Sequence, residues 1–558
     1  MTVTADVLAR RIDVARKAIP ADLLVRDVRV LNVVTGSFDY GDIAICGDTI
    51  VSTAEPGHAG AREIDGRGRY AVPGFVDSHV HVESSLLTPF AFEISVLPKG
   101  TTTAICDPHE IANVLGMTGV RYMLDAALDL CMTLKVNLSS CVPASPLETS
   151  GASLNVDDLL AFVQHPAALG LAEMMNFPGV LAKDPDCLAK LAAFAGKPID
   201  GHAPLLGGAD LDAYLACGIR TDHEASSAEE AAAKLARGMA ILMRAGSLAN
   251  DVPALAPLLQ RDTWPFMAFC TDDRNPLAIA EHGHIDAAIR SAIAAGADVT
   301  ACYRAAGYAA AQLYGLRDRG LLAPGWRADI VLLDDLESCA VSDVVCGGHL
   351  VDTALFERER QVPSVGYHSL KRAKVDASAF AAPPVAPVIG VRPGSLLTDR
   401  FEAAPEGEPL ATVAVLERHG KTGGIGLARV VGFGPMQGAL AGTVGHDSHN
   451  IIVVGSDLED MAVAVNRSID LRGGFVAVQG GEVRAELALP IAGLMSDQPG
   501  ELVCDALRAL HEATAAMGCT LPDPFLQAAF LPLSVIPHLK ITDQGLVDVD
   551  RMALIDFA

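Results

Sequence analysis

Between residue 73 and about residue 320 the chain alternates short β-rich runs with Ala- and Leu-rich stretches of helical period, and this alternation limits the possible fold more than any other feature. Strands separated by helices of this length run parallel, because each helix carries the chain back across the face of the sheet. Eight runs qualify as strands: "GFVDSHVHV", "TTTAIC", "LKVNLSSC", "ALGLAEMM", "KPIDGHA", "GIRTDHE", "MAILMRAG" and "FMAFCTD". Helical patterns such as "DDLLAFVQH" and "SAEEAAAKLARG" lie between them. Eight βα units in about 240 residues match a closed (β/α)8 barrel in number and length.

The flanks have a different texture. Residues 1–72 open with an amphipathic pattern, "MTVTADVLARRIDVARKAIP", and continue as short alternating runs broken by Gly, Asp and Asn, as in antiparallel strands joined by tight turns. The barrel then occupies 73–319. Residues 320–378 return to the β texture and complete the sheet begun before the barrel, which makes a small split β-sandwich domain. A Pro/Ala-rich connector, "AFAAPPVAPVIGVRPG", leads into a Gly-rich α+β C-terminal domain, so the last module spans 379–558.

Charge and cysteine content narrow the function. The 42 basic and 68 acidic residues leave a formal charge of -26, which argues against nucleic acid or an anionic membrane as partner. Twelve cysteines include no C-x-x-C pair and read as reduced, buried thiols. No apolar run reaches the roughly 20 residues of a membrane span, and the N-terminal pattern is unlike a signal peptide, so a cytoplasmic location is expected.

In a barrel of this kind, chemistry collects at the C-terminal ends of the strands. His79 and His81, in "PGFVDSHVHVESS", stand two apart behind an apolar run, share one face of a strand and can chelate one metal. Glu173 ends the fourth strand, His202 the fifth, His223 the sixth and Asp272 the eighth. Each alone has an ordinary reading, as a turn residue, a satisfied loop histidine or a helix-capping carboxylate. Together, six ligand-type side chains at strand ends form a set that can hold two divalent cations, and imidazole and carboxylate accept manganese, iron or zinc.

With these motifs in place, the chain resembles the adenine deaminase family of the amidohydrolase superfamily. The resemblance lies in "PGFVDSHVHVESS", "GTTTAICDPHEIANVLG", "LAEMMNFPGV", "DGHAP", "RTDHE" and "FCTDDR", with "GLLAPGWRADIVLL" in the returning segment and "GTVGHDSHNIIVVGSD" in the C-terminal domain. It implies His79, His81 and Asp272 on one metal, His202 and His223 on the other, and Glu173 bridging where many relatives place a carboxylated lysine. It also implies Mn²⁺ or Fe²⁺ in preference to Zn²⁺, a small-molecule substrate, adenine, and a homo-oligomer, taken as a dimer. The implied reaction is hydrolysis of adenine to hypoxanthine and ammonia, with water activated by the metal pair attacking C6 and Asp272 carrying its proton to the amine. Glu83, Asp107, His109 and Glu110 are candidates for protonating N1. Glu83 and Glu110, with Asp273 and His284, are candidates for binding the substrate, and His282 is a further pocket candidate. A hydrolase of the same superfamily opening a cyclic amide, such as a dihydropyrimidine or hydantoin, shares every metal ligand and is the alternative.

Two further features are read conservatively. "GHDSHN" at 445–450, with His446 and His449, is taken as a structural turn or a wall lent to a neighbouring pocket in preference to a separate metal site. The glycine pairs at 423–424, 473–474 and 480–481 are turns, since no G-x-x-x-x-G-K run accompanies them.

Overall fold

The computed structural model describes residues 3–357, 363, 365–381, 383 and 385–556. The small β domain is organised by its longest strand, Ala21–Leu31, which pairs antiparallel with Phe38–Cys46 and parallel with Gly60–Asp65 and Tyr70–Pro73. Leu23 and Val25 on one side of a bulge, and Val28 and Val30 on the other, keep the same face turned to the core; the extra residue shifts the register so that the apolar face is not lost. The segment after the barrel returns here. Ile330–Leu333 pairs antiparallel with Tyr70–Pro73 and carries Val341–Cys346 and His349–Leu350 outward along the same sheet. Helix Ala5–Ala15 is capped by the Thr4 hydroxyl and buries Val14 against Ala21, Leu24 and Ala44.

Eight parallel strands follow. Phe75–Val80, Thr101–Cys106, Thr133–Leu138, Ala168–Met174 and Ile199–Gly201 form one sheet, and Thr221–Asp222, Ala240–Arg244 and Met267–Cys270 a second. One seam is crossed by the Arg220 N–H, which donates to the Ile199 carbonyl at 3.3 Å. At the other seam the Asp272 N–H donates to the His79 carbonyl at 3.0 Å, and the His81 N–H to the Asp272 carbonyl at 3.1 Å. This is a TIM-barrel-type arrangement. Strands such as "AILMR" are buried along their whole length because both faces are covered, which is why they read as unbroken apolar runs and not as alternation. The fifth and sixth strands are shorter than their sequence runs suggest, so His202 and His223 stand on the loops just past them. His81 likewise follows its strand, at the start of the 3-10 turn Val82–Ser85.

The C-terminal domain is built on a second mixed sheet of eight strands, from Thr398–Phe401 at one edge to Glu482–Ala488 at the other. Val388–Val391, inside the stretch read as a connector, is one of these strands; Pro387 stands immediately before it, where no ladder N–H is needed. In Ala411–Leu416, Val413 and Val415 join the apolar cluster that runs on from the barrel, while Ala414 and Leu416 face helix Leu458–Asp470 through Met461 and Val465. The domain is therefore docked by its core. It is also pinned by polar bonds to the loop after the third barrel strand: the Thr149 N–H donates to Asp543 Oδ1 (2.9 Å), and Lys421 Nζ donates to the Ser150 carbonyl (2.7 Å). Among the described residues, no helix is long and apolar enough to cross a membrane.

Candidate metal centre and catalytic cavity

At the C-terminal mouth of the parallel strands, six side chains converge. His79 Nε2 and His81 Nε2 are 3.2 Å apart, and they lie 3.4 and 3.0 Å from Asp272 Oδ1. Glu173 stands between two groups of imidazoles: its Oε1 is 3.6 Å from His79 and 3.4 Å from His81, and its Oε2 is 2.7 Å from His202 Nδ1 and 3.3 Å from His223 Nε2. The tautomer of His81 is fixed from behind, because Nδ1–H donates to the Asp107 carbonyl at 2.9 Å. Its Nε2 therefore presents a lone pair to carboxylate oxygens. Lone pair against lone pair at 3 Å is repulsive unless a proton or a cation lies between them, and donors held about 3 Å apart suit the coordination shell of a first-row divalent metal with bonds of about 2.1 Å. The residues present fit such ions.

Electrostatics keeps the carboxylates charged. Burial disfavours the charge on Glu173, yet His223, His202 and His81 outweigh it and hold the group well below the ordinary glutamate range. Asp272 is lowered in the same way, against burial, by the neighbouring His79 and His81. Its backbone adopts φ +55°, a left-handed conformation that aspartate tolerates better than most residues. Behind it stands Arg244, at the end of the seventh strand, whose Nη1 donates to Asp272 Oδ2 at 3.2 Å and also contacts Glu224, while Nε donates to Asp251 Oδ2 at 3.0 Å. Asp273 turns the other way, accepts from the Ser84 hydroxyl and lines the cavity.

The loops that carry the histidines are braced by a buried ion pair. Lys234 Nζ donates to the Ala203 carbonyl (2.7 Å), Asp222 Oδ2 (2.8 Å) and Glu230 Oε1 (2.7 Å). Asp222 in turn accepts from the Ala203 and Ala225 N–H groups, one on each side of the His202 and His223 loops. Lys234→Met leaves Asp222 as an unpaired buried carboxylate and is expected to destabilise the protein by about 3–5 kcal/mol in denaturant unfolding. A loss well under 1 kcal/mol contradicts the bracing role.

The remaining candidates divide. His109 lines the cavity; its Nδ1 donates to Asp107 Oδ2 at 3.0 Å and its Nε2 is 3.4 Å from Glu110 Oε1. Glu110 also lines it, between His446 Nδ1 at 2.7 Å and His449 Nε2. Asp107 stands behind the wall and orients His109 and His81. Two expectations are corrected. Glu83 does not line the cavity: it is turned beneath the wall, where Oε1 accepts from the Ile111 N–H at 3.1 Å, and burial pushes its carboxyl up to about 7. His284 is likewise outside, bonded through Nδ1 to the Thr101 hydroxyl at 2.9 Å and placed 3.2 Å from Asp77, where burial holds it neutral. Asp77 also accepts from the Thr271 N–H, so His284 and Asp77 tie the first strand to the eighth. His282 is exposed at a helix end.

The C-terminal domain closes the cavity with His446, Asp447, Phe530, Leu533, Val535 and Ile536; Leu396 belongs to the same wall. "GHDSHN" is thus a wall of the pocket, as one of its two sequence readings had it. Glu224 and Arg244 escaped the sequence reading. Their signals were a carboxylate directly after His223 in "TDHE" and a lone charge at the end of the apolar run "MAILMR".

A family model described as the amidohydrolase family matches residues 70–351, and one described as the adenine deaminase C-terminal domain matches residues 397–553. The adenine deaminase of Methylobacterium sp. (strain 4-46) is 56% identical over 564 residues, spanning 99% of this chain and 100% of that protein. Adenine deaminase 1 of Agrobacterium fabrum (strain C58) is 54% identical, over 98% of this chain and 97% of that protein. Among solved structures, N-acetylglucosamine-6-phosphate deacetylase from Thermotoga maritima aligns with a TM-score of 0.43 and 17% identity, over 59% of this chain and 99% of that one.

Proposed function

The chain belongs to the adenine deaminase family of the amidohydrolases, and from that premise we propose that its cavity hydrolyses adenine to hypoxanthine and ammonia. The observation that carries this reading is the convergence of His79, His81, Glu173, His202, His223 and Asp272 under a narrow cavity with one apolar wall. His79, His81 and Asp272 hold one divalent ion, His202 and His223 a second, and Glu173 stands between them. Bound there, two such ions, Mn²⁺ or Fe²⁺ and alternatively Zn²⁺, supply the positive charge that makes a water nucleophilic near neutral pH.

The chain's own residues do the rest. Asp272 takes the proton of the attacking water and returns it to the departing amine, with Arg244 holding the carboxylate in place. His109 serves N1. Among the four candidates it is the one that faces the cavity with a ring N–H already fixed, on Asp107, and its imidazolium is favoured against burial by Asp107 and Glu110. The apolar wall of Phe530, Leu533, Val535 and Ile536 accepts the faces of the purine and keeps bulk water out. As parts of the same reading, the eight parallel strands form a closed (β/α)8 barrel, with module boundaries near 72, 319 and 378. The chain works in the cytoplasm as a homodimer, its twelve cysteines unpaired.

The test is ammonia release from adenine by protein reconstituted with Mn²⁺, Fe²⁺ or Zn²⁺, beside adenosine, a dihydropyrimidine and hydantoin. Adenine is expected to turn over and adenosine to be slower by at least about 10³, since ribose adds bulk that must pass the wall of Phe530, Leu533, Val535 and Ile536. Opening of a cyclic amide with no deamination of adenine overturns the reading.

A further inference from the structure

We infer that a second cavity, between the barrel and the C-terminal domain, binds a nucleoside monophosphate, with the phosphate on Lys371 and Lys421 and the base against Tyr367. Binding there is independent of the deaminase reading; its effect on turnover rests on that reading.

The cavity measures about 590 Å³ and lies where Gly151 of the barrel, the connector at 366–371 and the C-terminal loop at 419–421 meet. Its lining holds Lys371, Lys421, His368 and His419 and, among the described residues, no carboxylate, although the chain has 68 acidic residues against 42 basic ones. The catalytic cavity is lined by six carboxylates. Lys421 Nζ is held by a neutral partner, the Ser150 carbonyl, and Lys371 is exposed. Glu417, at the root of the same loop, is turned inward, where it accepts from the N–H groups of His419, Lys421 and Gly423. Next to it Arg418 is wholly buried, donates through Nη2 to the Ala492 carbonyl at 2.9 Å and leaves Nε and Nη1 without a partner. A buried cation with no carboxylate bonded to it adds to the attraction for an anion.

Two buried polar groups ask for more than charge. Ser369 is 8% exposed and lines the cavity, and its hydroxyl has no hydrogen-bond partner. His419 donates through Nε2–H to the Ser448 carbonyl at 2.8 Å, so Nδ1 carries a lone pair; burial and Arg418 keep the ring neutral, pushing it down to about 3. Glycine at 151 leaves that nitrogen open, since a Cβ there would stand 2.8 Å from it. A free acceptor and a free hydroxyl suit a ligand with O–H donors, which a phosphate dianion lacks and a ribose supplies. Val114, Leu115 and the ring of Tyr367 add apolar surface, and the Tyr367 hydroxyl donates to Asp497 Oδ2 at 3.0 Å, which holds the ring in place. A flat base packs against such a face. Anionic group, hydroxyls and planar ring in one molecule of this size describe a nucleoside monophosphate.

The two cavities share walls. Val114 and Leu115 end the helix His109–Leu115, whose first two residues line the catalytic cavity. His419 holds Ser448, the residue after Asp447 of the catalytic wall. An occupant that shifts either segment is therefore felt at His109, Glu110 and Asp447.

The experiment is calorimetric titration of the metal-loaded full chain with AMP. One AMP per chain is expected to bind with a Kd below about 1 mM, and adenosine and inorganic phosphate each at least tenfold more weakly. Lys371→Glu, at an exposed position outside the catalytic cavity, is expected to weaken AMP at least tenfold with kcat for adenine unchanged. Unchanged AMP affinity in that variant, or no binding to wild type, overturns the site, and phosphate binding as tightly as AMP overturns the nucleoside assignment. AMP is also expected to change KM for adenine by at least about fivefold in wild type and not in Lys371→Glu. An equal change in both puts AMP in the catalytic cavity and overturns the inference; no change in either overturns the coupling. Failure of the deaminase reading shows separately, as absence of ammonia release from adenine without AMP.

Discussion

Asp272→Asn is expected to leave the fold and most of the bound metal in place while lowering kcat for adenine by a factor on the order of 10² to 10⁴, the usual contribution of general acid-base catalysis. The amide keeps the shape of the carboxylate and one coordinating oxygen, but it cannot take a proton. Three contacts make this position decisive. Oδ1 faces His79 and His81, Oδ2 is held by Arg244, and the backbone is locked to the first strand by bonds on both sides of the residue. A side chain fixed at so many points has one orientation, toward the metal donors. Asp273, its neighbour, bonds to Ser84 and looks into the cavity, so Asp273→Asn is expected to act chiefly on KM. If Asp273→Asn strips the metal and Asp272→Asn retains full rate, the two roles are exchanged. Metal analysis and steady-state kinetics on the two variants decide the matter.

Glu173→Gln is expected to weaken metal occupancy and turnover together. The carboxylate divides its two oxygens between His79 and His81 on one side and His202 and His223 on the other, so it serves both halves of the centre. An amide has one oxygen to offer and places an NH₂ group against the opposite half. Losing one charge from a buried, mutually compensated set costs about 3–5 kcal/mol, which corresponds to roughly 10² to 10⁴ in affinity for the metal it serves. Purified protein is expected to carry close to two transition-metal ions per chain, and the Gln variant fewer at the same metal concentration. Normal metal content with a normal rate would return Glu173 to the role of a structural carboxylate.

Much of this site was legible before any coordinates, for a physical reason. Strand-end positions in a parallel sheet are announced by the apolar run that precedes them, so His79, Glu173, His202, His223 and Asp272 could be found by where the run stops. The same logic places His109 and Glu110 after "TTTAIC". It fails at Glu83 and His284, because the direction of a side chain beyond the strand end depends on the turn. Glu83 sits in a 3-10 turn that rotates it under the wall toward the Ile111 N–H, and His284 precedes a helix that packs it against Asp77 and Phe92. Arg244 was passed over because a charge ending an apolar strand is ordinarily a solvated end. Here it is 4% exposed and neutralised by Asp251, seven residues on, and by Glu224 and Asp272, 20 and 28 residues away.

The sequence by itself determined the alternation that makes a parallel sheet, the split β domain around it and the six ligand-type side chains on which the proposed metal centre is built. These depend on local period and on the order of residues along the chain, both of which survive without coordinates. Only the tertiary structure decided which groups face one another across the cavity. Glu110 meets His446 and His449 over more than three hundred residues of intervening chain, and Asp447 is left with an unpaired oxygen beside His109. No local pattern encodes that meeting, because it is set by how the buried faces of the C-terminal sheet and the barrel helices pack together, and packing is fixed by shape in three dimensions and not by spacing in one.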